Sequence, residues 1–264
     1  MARVLAHAHS RWSYDGKLTL EQWPELARQS GYDAVLFAEH EETGWTAGRY
    51  QEYAAACARA STGGVALIPG VEFNQDGYHV IAYGLQRWPA RPSSIRELAA
   101  AVHEQGCFLC LAHPPRYRWS HPGDLIARVD AVEAWNSFWC CDGTLGPHPR
   151  SLRLAEGKPI LVGQDVHKAA HVTNVAMVTE TDDVLADLKA GRYMICRGRR
   201  TWTPEQLRRA GVAAALQRVR TPLLRSALRS YRWVRRMRPR TRRKTLAGEA
   251  QSRHLRAAGE RFQP

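Results

Sequence analysis

The chain has no long apolar run and little cysteine. No apolar stretch in its 264 residues approaches the roughly 18 residues that a membrane-spanning helix needs, which excludes such a helix. The first strand is expected almost at once, so we expect no signal peptide. The six cysteines include the pair Cys107 and Cys110, in an apolar segment with no second pair at zinc-ribbon spacing. We therefore expect buried, reduced thiols and a cytoplasmic location.

Acidic residues are scarce in only one part of the chain. The whole sequence has 38 Lys and Arg against 25 Asp and Glu, a net charge of +13. Residues 203–264 hold 17 bases and three acids, a balance of +14, so residues 1–202 balance at −1. This asymmetry predicts a near-neutral domain over 1–202 and a basic C-terminal extension over 203–264, and the domain is long enough for an α/β barrel.

Short apolar segments alternate with helical patterns through the first part of the chain. Such alternation predicts an α/β domain with a largely parallel sheet, and its nearly eight units favour a closed or distorted barrel. Strands are predicted at 3–6, 33–38, 65–68, 71–73, 78–83, 107–112, 130–135, 159–162 and 193–196. Helices are predicted from Thr19 to near Gly31, over 47–60, from Ser94 to before Gly106, and over 182–190, the first and third opening with capping boxes.

Histidines and carboxylates recur where the predicted strands end. His7 and His9 follow the first strand, and because residues two apart on a strand face the same side, this pair can hold one metal ion. Functional residues of α/β barrels gather at the carboxyl ends of the strands. Six histidines and three carboxylates form a nitrogen and oxygen set that suits Zn²⁺, Mn²⁺ or Fe²⁺ more than Ca²⁺ or Mg²⁺. The nine candidate ligands are His7, His9, Asp15, His40, Glu72, His79, His113, Asp165 and His167.

Each candidate ligand taken alone also fits a structural role. His79 and His113 fit hydrogen-bonded core histidines, Asp15 fits a turn, and Asp165 with His167 fits a hydrogen-bonded pair at a strand end. Nine ligands are too many for one ion and about right for three if a carboxylate bridges. The recurrence at strand ends favours the metal interpretation over nine unrelated structural roles.

Six motifs in order resemble those of the PHP superfamily, named for polymerase and histidinol phosphatase. They are H-A-H-S at 7–10 with Asp15-Gly16, E-H at 39–40, P-G-V-E at 69–72, H-V-I-A-Y-G at 79–84, A-H-P at 112–114 and G-Q-D-V-H at 163–167. The resemblance covers residues 4 to about 200. V-E-A-W-N at 132–136 and L-K-A-G-R-Y at 188–193 most resemble its compact CehA/McbA-like branch. Glu39 stands where the family more usually has Asp, and Gln164 where Ser is common; neither is a ligand position.

The resemblance implies a distorted (β/α)7 TIM-like barrel with a trinuclear metal centre. We expect two or three divalent ions, manganese, zinc or iron, to be bound there. It assigns the first metal to His7, His9, Glu72 and Asp165. It has Glu72 bridge to a second metal, completed by His79 and His113, and it assigns a third to Asp15, His40 and His167. Glu72, Asp165 and His167 are the expected catalytic residues.

Phosphoester hydrolysis is the function expected of such a centre. A water that bridges two divalent cations loses a proton near neutral pH and becomes the nucleophile, while the metal ions neutralise the phosphate oxygens. The expected substrate is a small phosphorylated compound or a phosphodiester. Four basic residues close to ligand positions are candidates to bind a phosphate oxygen, although each also fits a solvated surface: Arg11, Arg116, Arg118 and Lys168.

Two other functions remain open from the sequence. The same centre can polarise a carbonyl and hydrolyse a carboxylic ester, a carbamate or an amide. The related amidohydrolases also begin with H-x-H but usually bridge their metals with a modified lysine, whereas Glu72 takes that place here. The barrel can also be a metal-stabilised scaffold that binds nucleic acid or a membrane through its basic tail. Such a scaffold would be expected to have lost ligands, and none is missing.

The basic extension carries two helix-start signals. Thr203-Pro204-Glu205-Gln206 combines an N-cap, a proline at the first helical position and a glutamine at the third, and Thr221-Pro222 repeats the device. Leu224, Leu228 and Tyr231 recur at helical spacing among arginines. Residues 221–264 therefore fit a solvated end, a contact with an anionic membrane surface or a contact with nucleic acid, and the sequence does not choose among them. The cytoplasmic location thus includes the alternative of a position peripheral to the membrane.

Overall fold

The computed structural model describes residues 1–41, 44–89, 92–117, 120, 123–137 and 147–209. The helices in this part are α1 (Trp23–Gln29), α2 (Ala47–Ala60), α3 (Ile95–His103), α4 (Gly123–Arg128), α5 (Pro149–Leu154) and α6 (Val184–Ala190). The strands are β1 (Arg3–Ala8), β2 (Ala34–Phe37), β3 (Glu39–His40), β4 (Ala66–Ile68), β5 (Gly70–Gln75), β6 (Tyr78–Tyr83), β7 (Phe108–Leu111), β8 (Ala131–Asn136), β9 (Ile160–Val166), β10 (Val175–Thr179), β11 (Tyr193–Arg197) and β12 (Arg200–Trp202).

Seven strand positions close into a barrel. β2 and β3 are two parts of one strand interrupted at Ala38, and β4 and β5 are two parts of another interrupted at Pro69. Pairing runs from β1 through β2/β3, β4/β5, β6, β7, β8 and β9, and it returns to β1 because β1 pairs with both β2 and β9. The distorted seven-stranded barrel expected from the sequence is therefore confirmed.

The barrel is parallel except at β6, which is antiparallel to both β5 and β7. Only Asp76 and Gly77 separate β5 from β6, and both have positive φ angles, 53° and 82°. A turn this short permits only a hairpin, because a parallel connection needs a crossover of a dozen or more residues. Outside the barrel, β10 pairs antiparallel with the start of β1, and β11 and β12 extend that edge. The sequence analysis missed β3, β10 and β12, as well as α4 and α5.

The helices cover the barrel with their apolar sides. In α2 the buried residues Tyr50, Tyr53 and Cys57 recur every three or four positions, which places them on one face. Trp23 of α1 packs edge-on against Phe37 of β2, with 5.4 Å between the ring centroids. This covering leaves the rim of the barrel, where the strands end, as the place for polar side chains.

The predicted helix signals agree with the structure. Thr19 and Gln22 form a reciprocal capping box before α1. The chain leaves α1 through Gly31, whose φ of 75° is the left-handed conformation that favours glycine at a helix end. Ser94 accepts a hydrogen bond from the backbone N–H of Glu97 at the start of α3. Capping chemistry thus sets the start of α3, the end of α1 and the start of the 3-10 turn Leu20–Gln22 that leads into α1.

The packed body continues beyond residue 202. The backbone N–H of Thr203 donates to Gln206 and the backbone N–H of Gln206 donates to Thr203, which is the predicted capping box. Leu207 is 2% exposed and belongs to the hydrophobic core. The guanidinium of Arg208 donates to the carbonyl oxygens of Leu152 and Ala155, at 3.4 and 2.7 Å. The domain limit at 202 stays a prediction, and the segment 221–264 lies outside the described residues.

Four of the six cysteines are buried and form no disulfide: Cys57, Cys107, Cys110 and Cys196. Cys140 and Cys141 lie outside the described residues. Among the described helices, none combines the length and the apolar character needed to cross a bilayer.

Candidate metal centre

All nine candidate ligands lie at one rim of the barrel. His40, Glu72 and Asp165 belong to β3, β5 and β9, and His113 follows β7. His79 stands near the amino end of β6, which lies at the same rim because β6 runs against its neighbours. The reversed strand explains how a residue at the start of a strand joins residues at the ends of others.

The candidate ligands form four overlapping groups in which the ligand atoms lie within 4.8 Å of one another. The groups are His7, His9 and Asp165; His7, Glu72 and His113; His40, Glu72 and His79; and His9, Asp15, His40 and His167. Because neighbouring groups share members, the nine side chains form one continuous cluster, called here the rim cluster.

Glu72 lies in the middle of the rim cluster. Its Oε1 is 3.0 Å from Nε2 of His113 and 2.9 Å from Nδ1 of His79. Its Oε2 is 3.0 Å from Nδ1 of His40. The two oxygens therefore face different histidines. His40 also approaches Asp15, at 3.4 Å, so it stands between the predicted second and third metal positions.

Three members of the rim cluster have left-handed backbone conformations. The φ angles are 62° at His7, 30° at His113 and 54° at Asp165. Such conformations cost on the order of 1–3 kcal/mol for residues other than glycine and cluster at functional sites. Ala6 of β1 pairs with Leu36 of β2 and Ala8 pairs with Phe37, so His7 is the extra residue of a bulge against β2. Simple strand alternation, assumed for His7 and His9 in the sequence analysis, is therefore not what places them together.

Burial and the neighbouring carboxylates shift the pKa values of the histidines in opposite directions. Burial lowers the pKa of His7, but the nearby carboxylates, Glu133 foremost, raise it to about 10. Burial likewise opposes protonation of His40, and its two carboxylate neighbours raise its pKa to about 10. At His9 burial dominates and lowers the pKa to about 4. Although burial opposes ionisation of Glu72, the surrounding histidines hold its pKa well below the usual range. Positive charge is therefore favoured at this rim.

The rim cluster leaves ligand atoms without hydrogen bonds. Among the described residues, five of the nine buried side-chain atoms that lack a hydrogen-bond partner belong to it. They are Nε2 of His7, Nε2 of His9, Oδ1 of Asp15, Oε2 of Glu72 and Oδ2 of Asp165. The contact between Oε2 of Glu72 and Nδ1 of His40 has the distance of an ion pair but not the geometry of a hydrogen bond. Leaving one such group unsatisfied costs about 1–3 kcal/mol. Imidazole nitrogens and carboxylate oxygens that lack partners and face one another fit divalent transition-metal ions.

Two buried carboxylates behind the rim cluster were missed as functional candidates. Glu133 lies 2.7 Å from Nδ1 of His7 through its Oε1. Glu39 accepts hydrogen bonds from the backbone N–H and the hydroxyl of Ser10, at 2.9 and 2.6 Å. The sequence contains a signal for both, because each is an acidic residue within or next to an apolar strand, where an unpaired carboxylate is costly.

Two glycines permit close approaches beside the rim cluster. A Cβ added to Gly16 would lie 1.9 Å from the carbonyl oxygen of Ser10, so glycine is needed in the loop that carries Asp15. A Cβ added to Gly163 would lie 2.1 Å from Oε1 of Glu133. At both positions glycine is required because there is no room for a Cβ atom, and not because the backbone conformation demands it.

The candidate phosphate-binding residues are placed differently. Arg116 reaches the rim cluster, with Nη1 3.2 Å from Nδ1 of His79. Arg11 donates to the carbonyl oxygen of Lys17 and lines a separate cavity of about 350 Å³. Lys168 is exposed, and Arg118 lies outside the described residues. Of the described candidates, Arg116 is the one whose contacts place it against the rim cluster.

Comparison with solved structures identifies the fold. A two-domain protein from Bacteroides vulgatus, containing a predicted PHP-like metal-dependent phosphoesterase, matches with a TM-score of 0.57 at 16% identity. The match covers 76% of this chain and 66% of that one, so this chain spans just under two thirds of that protein. The PHP-type fold expected from the motifs is therefore confirmed, and the CehA/McbA-like assignment stays a prediction.

Two further structures match less well. One is a proposed metal-dependent phosphoesterase from Bifidobacterium adolescentis, with a TM-score of 0.46 at 17% identity over 63% of this chain and 88% of that one. The other is an amidohydrolase from Chromobacterium violaceum with bound sulfate and no metal, with a TM-score of 0.45 at 15% identity over 62% and 87%. No protein-family model and no curated protein matches the sequence.

We expect the purified protein, never exposed to chelators, to carry two or three equivalents of transition metal. Binding of Mn²⁺ or Zn²⁺ to metal-free protein at pH 7 should release protons, because His7 and His40, with pKa values of about 10, are protonated before they become ligands. The apparent affinity should therefore fall as the pH is lowered from 8 to 5. Elemental analysis and calorimetry in buffers of different ionisation enthalpy measure both effects.

Less than one equivalent of metal after incubation with Mn²⁺ and with Zn²⁺ would contradict the metal interpretation. Binding that releases no protons would contradict the charge states assigned to His7 and His40 while leaving the ligand set intact.

Proposed function

We propose that the chain is a metal-dependent phosphoesterase that acts at the rim cluster. The observation that carries this proposal is the set of five buried ligand atoms without hydrogen-bond partners. A polar cluster that served only to stabilise the fold would be expected to satisfy these atoms internally.

The proposed ligand sets are those that the family resemblance implies. The groups of ligand atoms bring His7, His9 and Asp165 together, and Asp15, His40 and His167 together, whereas around Glu72 they place His113 with His7 and His79 with His40. His7, His9, Glu72 and Asp165 would hold one ion, Glu72, His79 and His113 a second, and Asp15, His40 and His167 a third. When bound, such ions supply a water acidic enough to ionise near neutral pH and positive charge for the phosphate oxygens. The ions proposed are manganese, zinc or iron, since the donor set suits these metals.

Substrate would approach from the side of Asp15 and His167. The side chain of Asp15 is 35% exposed and that of His167 is 16% exposed, whereas those of His7, His9 and Asp165 are at most 2% exposed. Nε2 of His167 lies 3.0 Å from Oδ2 of Asp15, so the carboxylate orients the imidazole. The open side of the cluster is thus the proposed position of the phosphate group.

Arg116 is the proposed phosphate contact of the protein itself. Its guanidinium lies against the ring of His79, and the planar fork of an arginine matches two phosphate oxygens at once. Tyr117 stabilises the position of His79 beside Arg116, because its hydroxyl oxygen accepts a hydrogen bond from the backbone N–H of His79 at 2.6 Å.

Glu72→Gln should reduce hydrolysis of p-nitrophenyl phosphate or its bis ester by more than about 100-fold, because the central carboxylate loses its charge. Glu52→Gln is the matched control, since Glu52 is an exposed residue of α2. Initial rates with Mn²⁺ or Zn²⁺ supplied, together with metal content, measure the effect.

Parallel assays with p-nitrophenyl acetate and an aryl carbamate separate the alternatives. Cleavage of these substrates alone, lost in Glu72→Gln, would assign carboxylic ester, carbamate or amide hydrolysis to the same centre. Full metal content with no hydrolysis of any substrate would support a metal-stabilised scaffold instead.

We further propose that residues 221–264 bind a polyanionic surface, an anionic bilayer or nucleic acid, through their basic residues. Deleting this segment should leave metal content and turnover of small substrates unchanged while removing binding. Binding by the full chain should fall steeply between about 50 and 300 mM salt, because released counterions drive it. Anionic vesicles and duplex DNA, assayed side by side, distinguish the partners.

Residual vesicle binding at high salt would indicate an apolar contribution from the side chains of Leu224, Leu228 and Tyr231. Absence of binding to either partner at low salt would show that the segment is a solvated end.

A further inference from the structure

Glu133, the acidic residue of β8, is 1% exposed. Its Oε1 lies 2.7 Å from Nδ1 of His7. Its Oε2 accepts the backbone N–H of His113 at 2.9 Å and the side-chain amide of Asn136 at 3.0 Å. One carboxylate therefore contacts two members of the rim cluster that are 106 positions apart in the sequence.

We propose that Glu133 is the positioning residue that orients His7 and His113 toward metal, an inference that rests on the proposed function. A hydrogen bond from Nδ1–H of His7 to Glu133 fixes the tautomer in which Nε2 carries the free electron pair. Nε2 of His7 is one of the atoms without a hydrogen-bond partner. Carboxylates that accept the second N–H of a metal-binding histidine orient its ring and raise its basicity.

The second oxygen of Glu133 acts on the backbone. His113 has a φ of 30°, and its N–H points into the barrel wall, where Oε2 of Glu133 accepts it. Without this acceptor the N–H would be buried and unsatisfied, which costs about 1–3 kcal/mol. Glu133 thus supports the strained conformation from which Nε2 of His113 reaches Glu72.

Gly163 of β9 makes room for this carboxylate. A Cβ at position 163 would lie 2.1, 2.6 and 3.0 Å from the three atoms of the carboxyl group of Glu133. An alanine there must displace Glu133 from His7 without changing any charge. Gly163→Ala is therefore a second way to disturb the same contact.

Glu133→Gln is nearly isosteric but cannot make all three hydrogen bonds. If the amide nitrogen faces His113 and Asn136, it meets two donors; if it faces His7, it forces the proton onto Nε2, where metal should bind. The matched control is Glu39→Gln, because Glu39 is equally buried but bonds Ser10 and Ser13 instead.

Zn²⁺ affinity by competition with a chromophoric chelator, with ¹⁵N NMR of the histidine side chains in the zinc-loaded protein, tests the proposal. Glu133→Gln should lower the affinity for at least one Zn²⁺ equivalent about 10–100-fold. It should also abolish the hydrogen-bonded Nδ1–H signal of His7, and Gly163→Ala should change both readouts in the same direction. Glu39→Gln should keep the His7 signal.

The outcomes separate this proposal from the proposed function. If the unmodified protein binds no Zn²⁺, the proposed function itself fails. If it binds Zn²⁺ and hydrolyses phosphoesters but Glu133→Gln keeps every Zn²⁺ affinity and the His7 Nδ1–H signal, only the role of Glu133 is overturned. If Glu133→Gln does not fold, the Gly163→Ala variant decides the test. An unchanged Zn²⁺ affinity and an unchanged His7 Nδ1–H signal in folded Gly163→Ala would also overturn the role of Glu133.

Discussion

The rim of the barrel depends on the attraction between the carboxylate of Glu72 and the histidines around it. The side chain of Glu72 is 1% exposed, and a carboxylate so deeply buried must be compensated by positive charge. His40, His79 and His113 each place a ring nitrogen within 3.0 Å of its oxygens. These histidines come from or follow β3, β6 and β7, so this one interaction joins several strands. Without compensation, the rim would bury an isolated charge at Glu72.

The protein alone does not satisfy all the polar atoms of the rim cluster. Protonated histidines can compensate Glu72, but five ligand atoms of the rim cluster still lack hydrogen bonds, and three of its residues have left-handed backbones. Divalent ions would replace the protons and satisfy those atoms in one step. The cost of strain and of unsatisfied atoms is thus concentrated where a metal-dependent hydrolase needs preorganised ligands.

The sequence predicted much of the barrel and all nine members of the rim cluster. Seven of the nine stand at the ends of apolar segments, which is a local signal, whereas Asp15 lies in a turn and His79 near the start of a segment. The reversal of β6 could also be predicted from the sequence, because Asp76 and Gly77 leave room only for a hairpin, but we did not draw that inference. Regular strand alternation was assumed at His7, where the structure has a bulge, since bulges depend on pairing between distant strands. Glu133 was overlooked as a functional residue because its partners, His7 and His113, come from other strands.

Anomalous diffraction from crystals of the manganese- or zinc-loaded protein at pH 7, recorded at the absorption edge of the metal, tests the central claim most directly. We expect two or three peaks inside the rim cluster, with Glu72 contacting two of them and His7, His9 and Asp165 bound to one. Peaks held by other residues, or a single peak that leaves Glu72 bound to one ion, would contradict it.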